Sequence, residues 1–157
     1  MMRIGIDIGG SHIATAIVDD NGNILKKIEQ DIALSSYTNK EEKIIEIILS
    51  NIKELDVEVT SIGIGCPGIV KDGIVNDFSN IHMKNFNIVE SLKKVFNIPV
   101  YVKNDADCAG IGEKLFGNIK EYKNAIFLTI GTGIGGALFI GNKLCEINFE
   151  IRSYGYR

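Results

Sequence analysis

The sequence lacks several residue patterns on which common functional sites depend. Its 157 residues include three cysteines, Cys66, Cys108 and Cys145, which are widely spaced and form no CxxC pair. This spacing argues against a disulfide framework and against a structural zinc site, and it favours a reducing compartment. His12 and His82 are the only histidines in the sequence, which argues against a multi-histidine metal site.

Long apolar runs and long basic runs are also missing. No stretch approaches the roughly 20 apolar residues needed to cross a bilayer, and the first residues show no secretory pattern. The formal net charge is −3, which argues against nucleic acid or an anionic membrane as the primary partner. The hydrophobic content of 45% and the charged content of 24% are typical of a globular domain. We therefore expect a cytoplasmic protein.

The stretch from Arg3 to Ser11, RIGIDIGGS, is the first candidate site. Its isoleucines alternate with other residues at the period of a strand, and Gly9-Gly10 allows a tight turn. Backbone N–H groups in such a turn suit phosphate oxygens, and Asp7 could hold a hydrated Mg²⁺ beside them. A hairpin turn with a chance aspartate explains the same residues equally well.

The rest of the chain alternates strands and helices. Asp20-Asn21-Gly22-Asn23 predicts a turn that makes the opening an antiparallel meander. Thr38 with Glu41 resembles a capping box, and Asn87 with Glu90 predicts a second helix start. The predicted helices are 40–55, 87–96 and 106–116, and the first of them has a core-facing stripe of Ile45, Ile48, Ile52 and Leu55. The predicted strands are 13–18, 24–28, 59–65, 69–70, 74–75, 99–102, 125–130, 134–140 and 143–149.

Two later features could complete a site. Asn104-Asp105 stands at the end of a strand and the start of a helix, where open α/β sheets bind ligands, although an aspartate there can be a simple helix cap. GTGIGG, residues 131–136, is a second glycine turn between strands, and a tight hairpin is its plain alternative. Two phosphate-type turns that bracket an internal acid favour a joint function.

With these motifs in place, the sequence resembles the ROK family of bacterial sugar kinases and sugar-responsive repressors. The matching stretches cover nearly all of Arg3 to Leu144 and read IGIDIGGSHIATAIVDDNGNIL, IGIGCPGIV, FSNIHMKNFNIVESL, IPVYVKNDADCAGIGE and FLTIGTGIGGALFIGNKL. The resemblance implies an α/β fold of the ribonuclease-H-like actin and hexokinase superfamily. It implies a mixed five-stranded sheet with helices in a first lobe, residues 1–122, and the start of a second lobe, residues 123–157.

The resemblance also implies roles for individual residues. Asp105 would be the catalytic base of an ATP-dependent kinase for glucose or a related hexose or amino sugar, and Asp7 would bind Mg²⁺. The family usually has Thr at Ser11 and often Lys or Asn at His12, so no role is expected for His12. The implied ATP phosphate-binding residues are Gly9, Gly10, Ser11, Gly131, Thr132, Gly133 and Gly135, and the implied sugar-binding residues are Gly68, Asn80, Asn104, Asp105 and Glu150.

The chain departs from the family in length and in its tail. Family kinases are about twice as long, and their zinc loop has no counterpart here. After Ile151 the sequence reads as a one-base frameshift of a family segment, and a natural short form with its own tail is the alternative. We expect the chain alone to be inactive and to form homo-oligomers through residues 125–149, where Ile126, Leu128, Ile130 and Phe139 would be exposed. A non-catalytic fragment and a ROK regulator without its DNA-binding domain are the competing functions.

Overall fold

The structure, a computed structural model, describes residues 1–78, 83–130, 133–145 and 149–152. The chain divides into two compact units, Met1–Asp105 and Ala106–Arg157, called unit 1 and unit 2 below. Within the described ranges no helix is both long and apolar enough to span a bilayer. The expected lobe boundary between residues 122 and 123 stays a prediction.

Unit 1 is built on a mixed five-stranded sheet. The strand bounds are β1 Arg3–Ile8, β2 His12–Val18, β3 Ile24–Asp31, β4 Ile62–Cys66 and β7 Val100–Asn104. β1 lies at the centre of the sheet, antiparallel to β2 on one side and parallel to β4 on the other, and β4 is parallel to β7. The sheet order is β3-β2-β1-β4-β7, which confirms the expected antiparallel opening and mixed sheet.

The alternating isoleucines of β1 explain which face of this sheet is buried. Ile4, Ile6 and Ile8 are all less than 5% exposed, and they belong to the core that also includes helix α1, Lys40–Leu55. Three of the four predicted stripe residues of α1 are buried, and the fourth, Ile45, is partly buried against the same core.

The first helix spans the predicted residues, but its N-cap lies one residue after the predicted one. Asn39, not Thr38, is its N-cap, and the Asn39 side chain accepts a hydrogen bond from the Glu42 backbone N–H at 3.2 Å. The Asn39 amide also donates to the Glu42 carboxylate at 2.8 Å. Two cap-and-acid pairs overlap in this sequence, and Asn is at least as good an N-cap as Thr.

The remaining elements of unit 1 are short. A hairpin of β5, Ile69–Lys71, and β6, Ile74–Asp77, forms a separate two-stranded sheet. Helix α2, Ile88–Lys93, starts at the predicted Asn87 cap but ends earlier than residue 96. The backbone N–H groups of Val95 and Phe96 both donate to the Leu92 carbonyl, which closes the helix with a turn.

The described residues of unit 2 form one helix and a small sheet. Helix α3, Asp105–Phe116, begins at the unit boundary, and β9, Gly133–Ile140, pairs with every other strand of the sheet. The predicted strand 143–149 was wrong: the structure has two short strands, β10 Lys143–Leu144 and β11 Phe149–Arg152. Residues 146–148 between them lie outside the described residues. β8 is Ala125–Ile130, as predicted.

The two faces of this small sheet differ. Ile126, Leu128 and Ile130 are 66%, 49% and 83% exposed, as expected. Phe139 was expected to be exposed and is only 3% exposed. Side chains alternate between faces along a strand, and Phe139 points to the face against α3, where a Cβ added at Gly110 would lie 3.5 Å from the Phe139 ring.

Candidate functional site

The candidate site of unit 1 lies at the carboxyl ends of three parallel strands. Asp7 of β1 is directly opposite Gly65 of β4, and Gly65 is directly opposite Lys103 of β7. One residue further along, Cys66 is opposite Asn104. Neighbouring strands are about 4.8 Å apart, so the Asp7 and Lys103 backbones are separated by about 10 Å. This edge is where open α/β sheets bind ligands.

The turn between β1 and β2 carries the first group of predicted residues. The Gly9 N–H donates to the His12 carbonyl at 2.8 Å, and the Ser11 carbonyl accepts from the Ile32 N–H at 2.8 Å. A Cβ at Gly9 would lie 2.8 Å from the His12 ring. A side chain at position 9 would require the partly exposed His12 ring to move, so glycine allows the two residues to pack closely.

His12 is close to the predicted metal ligand, although the sequence suggested no role for it. Its Nε2 atom lies 3.5 Å from Asp7 Oδ2, and both side chains are partly exposed. A signal for this contact was available, because residues on either side of a tight hairpin turn lie on adjacent strands. The sequence also suggested no role for Lys103. Lys103 lies directly opposite Gly65, and Gly65 lies directly opposite Asp7. Gly65 has no side chain to stand between the two.

Asp7 can serve a cation only as one ligand among several. Within the described ranges no group of three or more His, Cys, Asp or Glu residues is arranged to hold a metal ion. Mg²⁺ commonly binds one or two carboxylates together with waters and substrate phosphates. The exposed carboxylate beside a glycine turn fits that mode of binding and does not fit a closed protein cage.

Asn104 and Asp105 connect the last strand of unit 1 to helix α3. Asn104 ends β7, and its side-chain amide donates to the Gly68 carbonyl at 3.0 Å. Asp105 is the first residue of α3 and is exposed. The partial positive charge of a helix N-terminus favours the ionised form of a carboxylate there, and an ionised carboxylate can accept a proton.

In unit 2 the register of β9 and β11 brings two predicted residues together. Gly135 lies directly opposite Glu150. A Cβ at Gly135 would lie 2.8 Å from Thr129 Oγ1 and 3.0 Å from the Ala106 Cβ, so this glycine allows β9 to approach the first turn of α3. Gly133 begins β9. The predicted residues Asn80, Gly131 and Thr132 lie outside the described residues.

Comparisons with known proteins agree with the resemblance. The model of the ROK family matches residues 3–146. A glucokinase from Streptomyces coelicolor is 36% identical over 154 residues, which cover 96% of this chain and 47% of the relative. A xylose repressor from Bacillus subtilis is 28% identical over 145 residues, which cover 90% of this chain and 38% of the relative.

A solved structure shares the fold. The crystal structure of a ROK family glucokinase from Streptomyces griseus, in complex with glucose and AMPPNP, superposes with a TM-score of 0.82 and 32% identity. The match covers 96% of this chain and 48% of that one, and it confirms the predicted fold class. The chain thus spans about half the length of the curated glucokinases it matches.

Proposed function

The chain belongs to the ROK family, and from this premise we propose that it forms the N-terminal part of an ATP-dependent sugar kinase. The substrate is glucose or a related hexose or amino sugar. One observation carries the proposal: sheet pairing places Asp7, Gly65 and Lys103 in a single row at the carboxyl edge, with Asn104 and Asp105 directly beyond it. Residues nearly a hundred positions apart in sequence therefore converge where a ligand can bind.

Asp105 acts as the catalytic base. Its carboxylate accepts the proton of the sugar hydroxyl while the hydroxyl oxygen bonds to the γ-phosphorus of ATP. The bond from that phosphorus to the bridging oxygen breaks, and ADP leaves. Gly68, Asn80, Asn104 and Glu150 hold the sugar, and the exposure of Asp105 at a helix start gives a hydroxyl access to it.

The glycine turns bind the triphosphate. Asp7 would hold Mg²⁺, and the ion would supply positive charge that, together with backbone amides, offsets the negative charge on the phosphates. The amides belong to Gly10 and Ser11 of the first turn, because the Gly9 N–H donates to the His12 carbonyl, and to the second turn with the start of β9, residues 131–135; Gly9 lets the backbone come close to the phosphates. The reaction takes place in the cytoplasm, which supplies ATP and sugar. AMPPNP in the Streptomyces griseus relative supports nucleotide use.

Activity of the whole enzyme requires more than these residues. The chain spans about half of its kinase relatives, so we expect the 157-residue chain alone to show little or no turnover. Reactants that are bound without full alignment lose most of the rate advantage of proximity.

The test joins residues 1–151 to the remaining half of the Streptomyces coelicolor glucokinase. We expect ATP-dependent phosphorylation of glucose by the chimera, and Asp105→Asn should reduce kcat by at least about a hundredfold while glucose still binds. Asp7→Asn should mainly raise the Mg²⁺ concentration required. Asp56→Asn, an exposed aspartate at the end of α1, is the matched control and should change little. A fully active Asp105→Asn chimera would disprove the assignment of the base.

A sugar-responsive regulator is the second candidate, because xylose repressors match 90% of this chain. A regulator binds sugar without transferring phosphate. Calorimetry of the 157-residue chain with glucose and xylose, each with and without ATP–Mg²⁺, separates the two. Sugar binding that is insensitive to ATP, together with an inactive chimera, favours the regulator. An inactive chimera without any sugar binding favours a non-catalytic fragment.

We further propose that the chain self-associates through the outer face of unit 2, defined as the exposed side chains Ile126, Leu128, Ile130 and Ile140. These four side chains are aliphatic and uncharged, with the exposed Lys143 opposite Ile140 at their rim, so a second copy of the same face is a matching partner. Within the described strands β8 pairs with β9 alone, which leaves a backbone edge for pairing as well.

A further inference from the structure

Gly68 occupies a backbone position that no other residue fits. Its φ is +98°, a conformation that side chains with a Cβ rarely adopt, and a Cβ there would lie 1.8 Å from the Asp77 carbonyl oxygen. Gly68 directly precedes β5, and Asp77 ends β6. The two ends of the β5–β6 hairpin therefore approach closely where Gly68 lies beside Asp77, and only glycine permits this contact.

The carbonyl of Gly68 reaches a residue 36 positions further along the chain. It accepts a hydrogen bond of 3.0 Å from Asn104 Nδ2. A primary amide has one donor end and one acceptor end, so this bond determines which end of Asn104 points toward the hairpin. A second contact joins the same two segments of the chain. Cys66 is buried, and its Sγ lies 3.8 Å from the Lys103 carbonyl oxygen.

We propose that Gly68 is a positioning residue whose carbonyl, held in a conformation open only to glycine, orients the Asn104 amide at the carboxyl edge of the sheet. Besides the sugar contact that the resemblance suggests for Gly68, its carbonyl acts here through Asn104. The consequence for sugar binding rests on the proposed function, but the orientation of the amide does not. An amide that is already oriented loses less freedom when a sugar binds, which strengthens binding.

The β5–β6 hairpin also contributes to the orientation of the Asn104 amide. Because Gly68 and Asp77 are in contact, a shift of β6 moves the Gly68 carbonyl and with it the acceptor of the Asn104 amide. The buried side chains of Val75 and Phe78 fix β6 in the core of unit 1. The hairpin thereby transmits the rigidity of the core to a polar side chain at the edge of the sheet.

The experiment measures the Asn104 side-chain NH₂ group by NMR in the isotopically labelled 157-residue chain. We expect a scalar coupling through the hydrogen bond from Asn104 Nδ2 to the Gly68 carbonyl carbon, and its absence in the wild-type chain would overturn the proposal without any variant. Gly68→Ala should speed exchange of the NH₂ hydrogens by roughly tenfold, the size that one net hydrogen bond supports.

Gly73→Ala is the matched control. Gly73 also has a positive φ, +80°, but a Cβ there would meet only the Val89 side chain at an ordinary 3.5 Å. We expect this variant to bear the same kind of backbone strain and to leave Asn104 exchange unchanged. Equal acceleration in both variants would show a general loss of stability and would overturn the positioning role.

Calorimetry with glucose separates this proposal from the function on which its consequence rests. If the wild-type chain binds glucose, Gly68→Ala should weaken binding by about tenfold or more, and Gly73→Ala should not. If the wild-type chain binds no glucose, the sugar-binding role fails for this chain, while the coupling and exchange measurements still decide whether Gly68 orients Asn104. Unchanged glucose affinity in Gly68→Ala would overturn the effect on binding.

Discussion

The exposed sheet faces of the two units have opposite compositions. In unit 1, the face away from the isoleucine core includes Gly5, Asp7, Gly63 and Tyr101 in neighbouring rows. In unit 2, the outer face consists of isoleucine and leucine side chains, three of which are more than half exposed. Apolar atoms are common on surfaces, but a contiguous aliphatic face usually marks an interface. Unit 1 thus has a surface suited to water and ligands, and unit 2 has one suited to a partner.

Isoleucine-to-alanine substitutions should give the largest difference between the core of unit 1 and the outer face of unit 2. Ile48 of α1 is fully buried, and Ile130 of β8 is 83% exposed. We expect Ile48→Ala to lower the free energy of unfolding by about 2–5 kcal/mol, because it removes buried methyl groups and leaves a cavity. Ile130→Ala should change it by less than about 0.5 kcal/mol. Urea unfolding measured at low protein concentration checks both values, and equal losses would remove the distinction between the units.

Self-association should give the next effect. Sedimentation of the wild-type chain should show a dimer fraction that rises with concentration, and Leu128→Glu should weaken dimerisation by more than about tenfold, because each copy would bury a like charge. A mixture of Leu128→Glu and Leu128→Lys chains should recover association. Val95→Glu is the control, since Val95 is 57% exposed in unit 1. A wild-type chain that stays monomeric at high concentration contradicts this proposal.

Acid should produce the smallest effect, at the turn between β2 and β3. Hydrogen bonds from Asn23 lower the pKa of Asp19, and the Met1 ammonium and Arg3 lower the pKa of Asp20. A lowered pKa in the folded state stabilises the turn above the ordinary carboxyl pKa, and this stabilisation is lost as the pH falls through the lowered value. All these groups are exposed, so the effect is small. As the pH falls below the ordinary carboxyl pKa, NMR signals of the turn should move before those of the core, and simultaneous movement would argue against a local effect.

Local sequence determined much of the fold of unit 1. The alternation of Ile4, Ile6 and Ile8 predicted a half-buried strand, and the structure buries all three. Asn87 was identified as a helix cap, and it accepts from the Glu90 N–H at 3.1 Å. These features depend on residues within four positions of one another, so neighbouring side chains and backbone are sufficient to define them.

Competition between equivalent local signals was not decided by the sequence. Thr38 and Asn39 each have a glutamate three residues later, and the structure uses Asn39. Phe139 belongs to an apolar strand whose two faces look alike in sequence. Only the position of α3, with Gly110 close to the Phe139 ring, decides which face is buried.

The motifs of the candidate site were visible in the sequence, and their connections were not. Asp7, Gly68, Asn104 and Asp105 could be chosen from glycine turns, strand ends and the family resemblance. The contact of His12 with Asp7, the bond from Asn104 to Gly68 and the close approach of Gly68 to Asp77 exist only in the folded chain. Strand pairing and close backbone contacts bring together residues that are far apart in sequence. The conformational preferences of neighbouring residues do not determine such contacts. The sequence therefore determined which residues are available for chemistry, and the tertiary structure decided which of them orient one another.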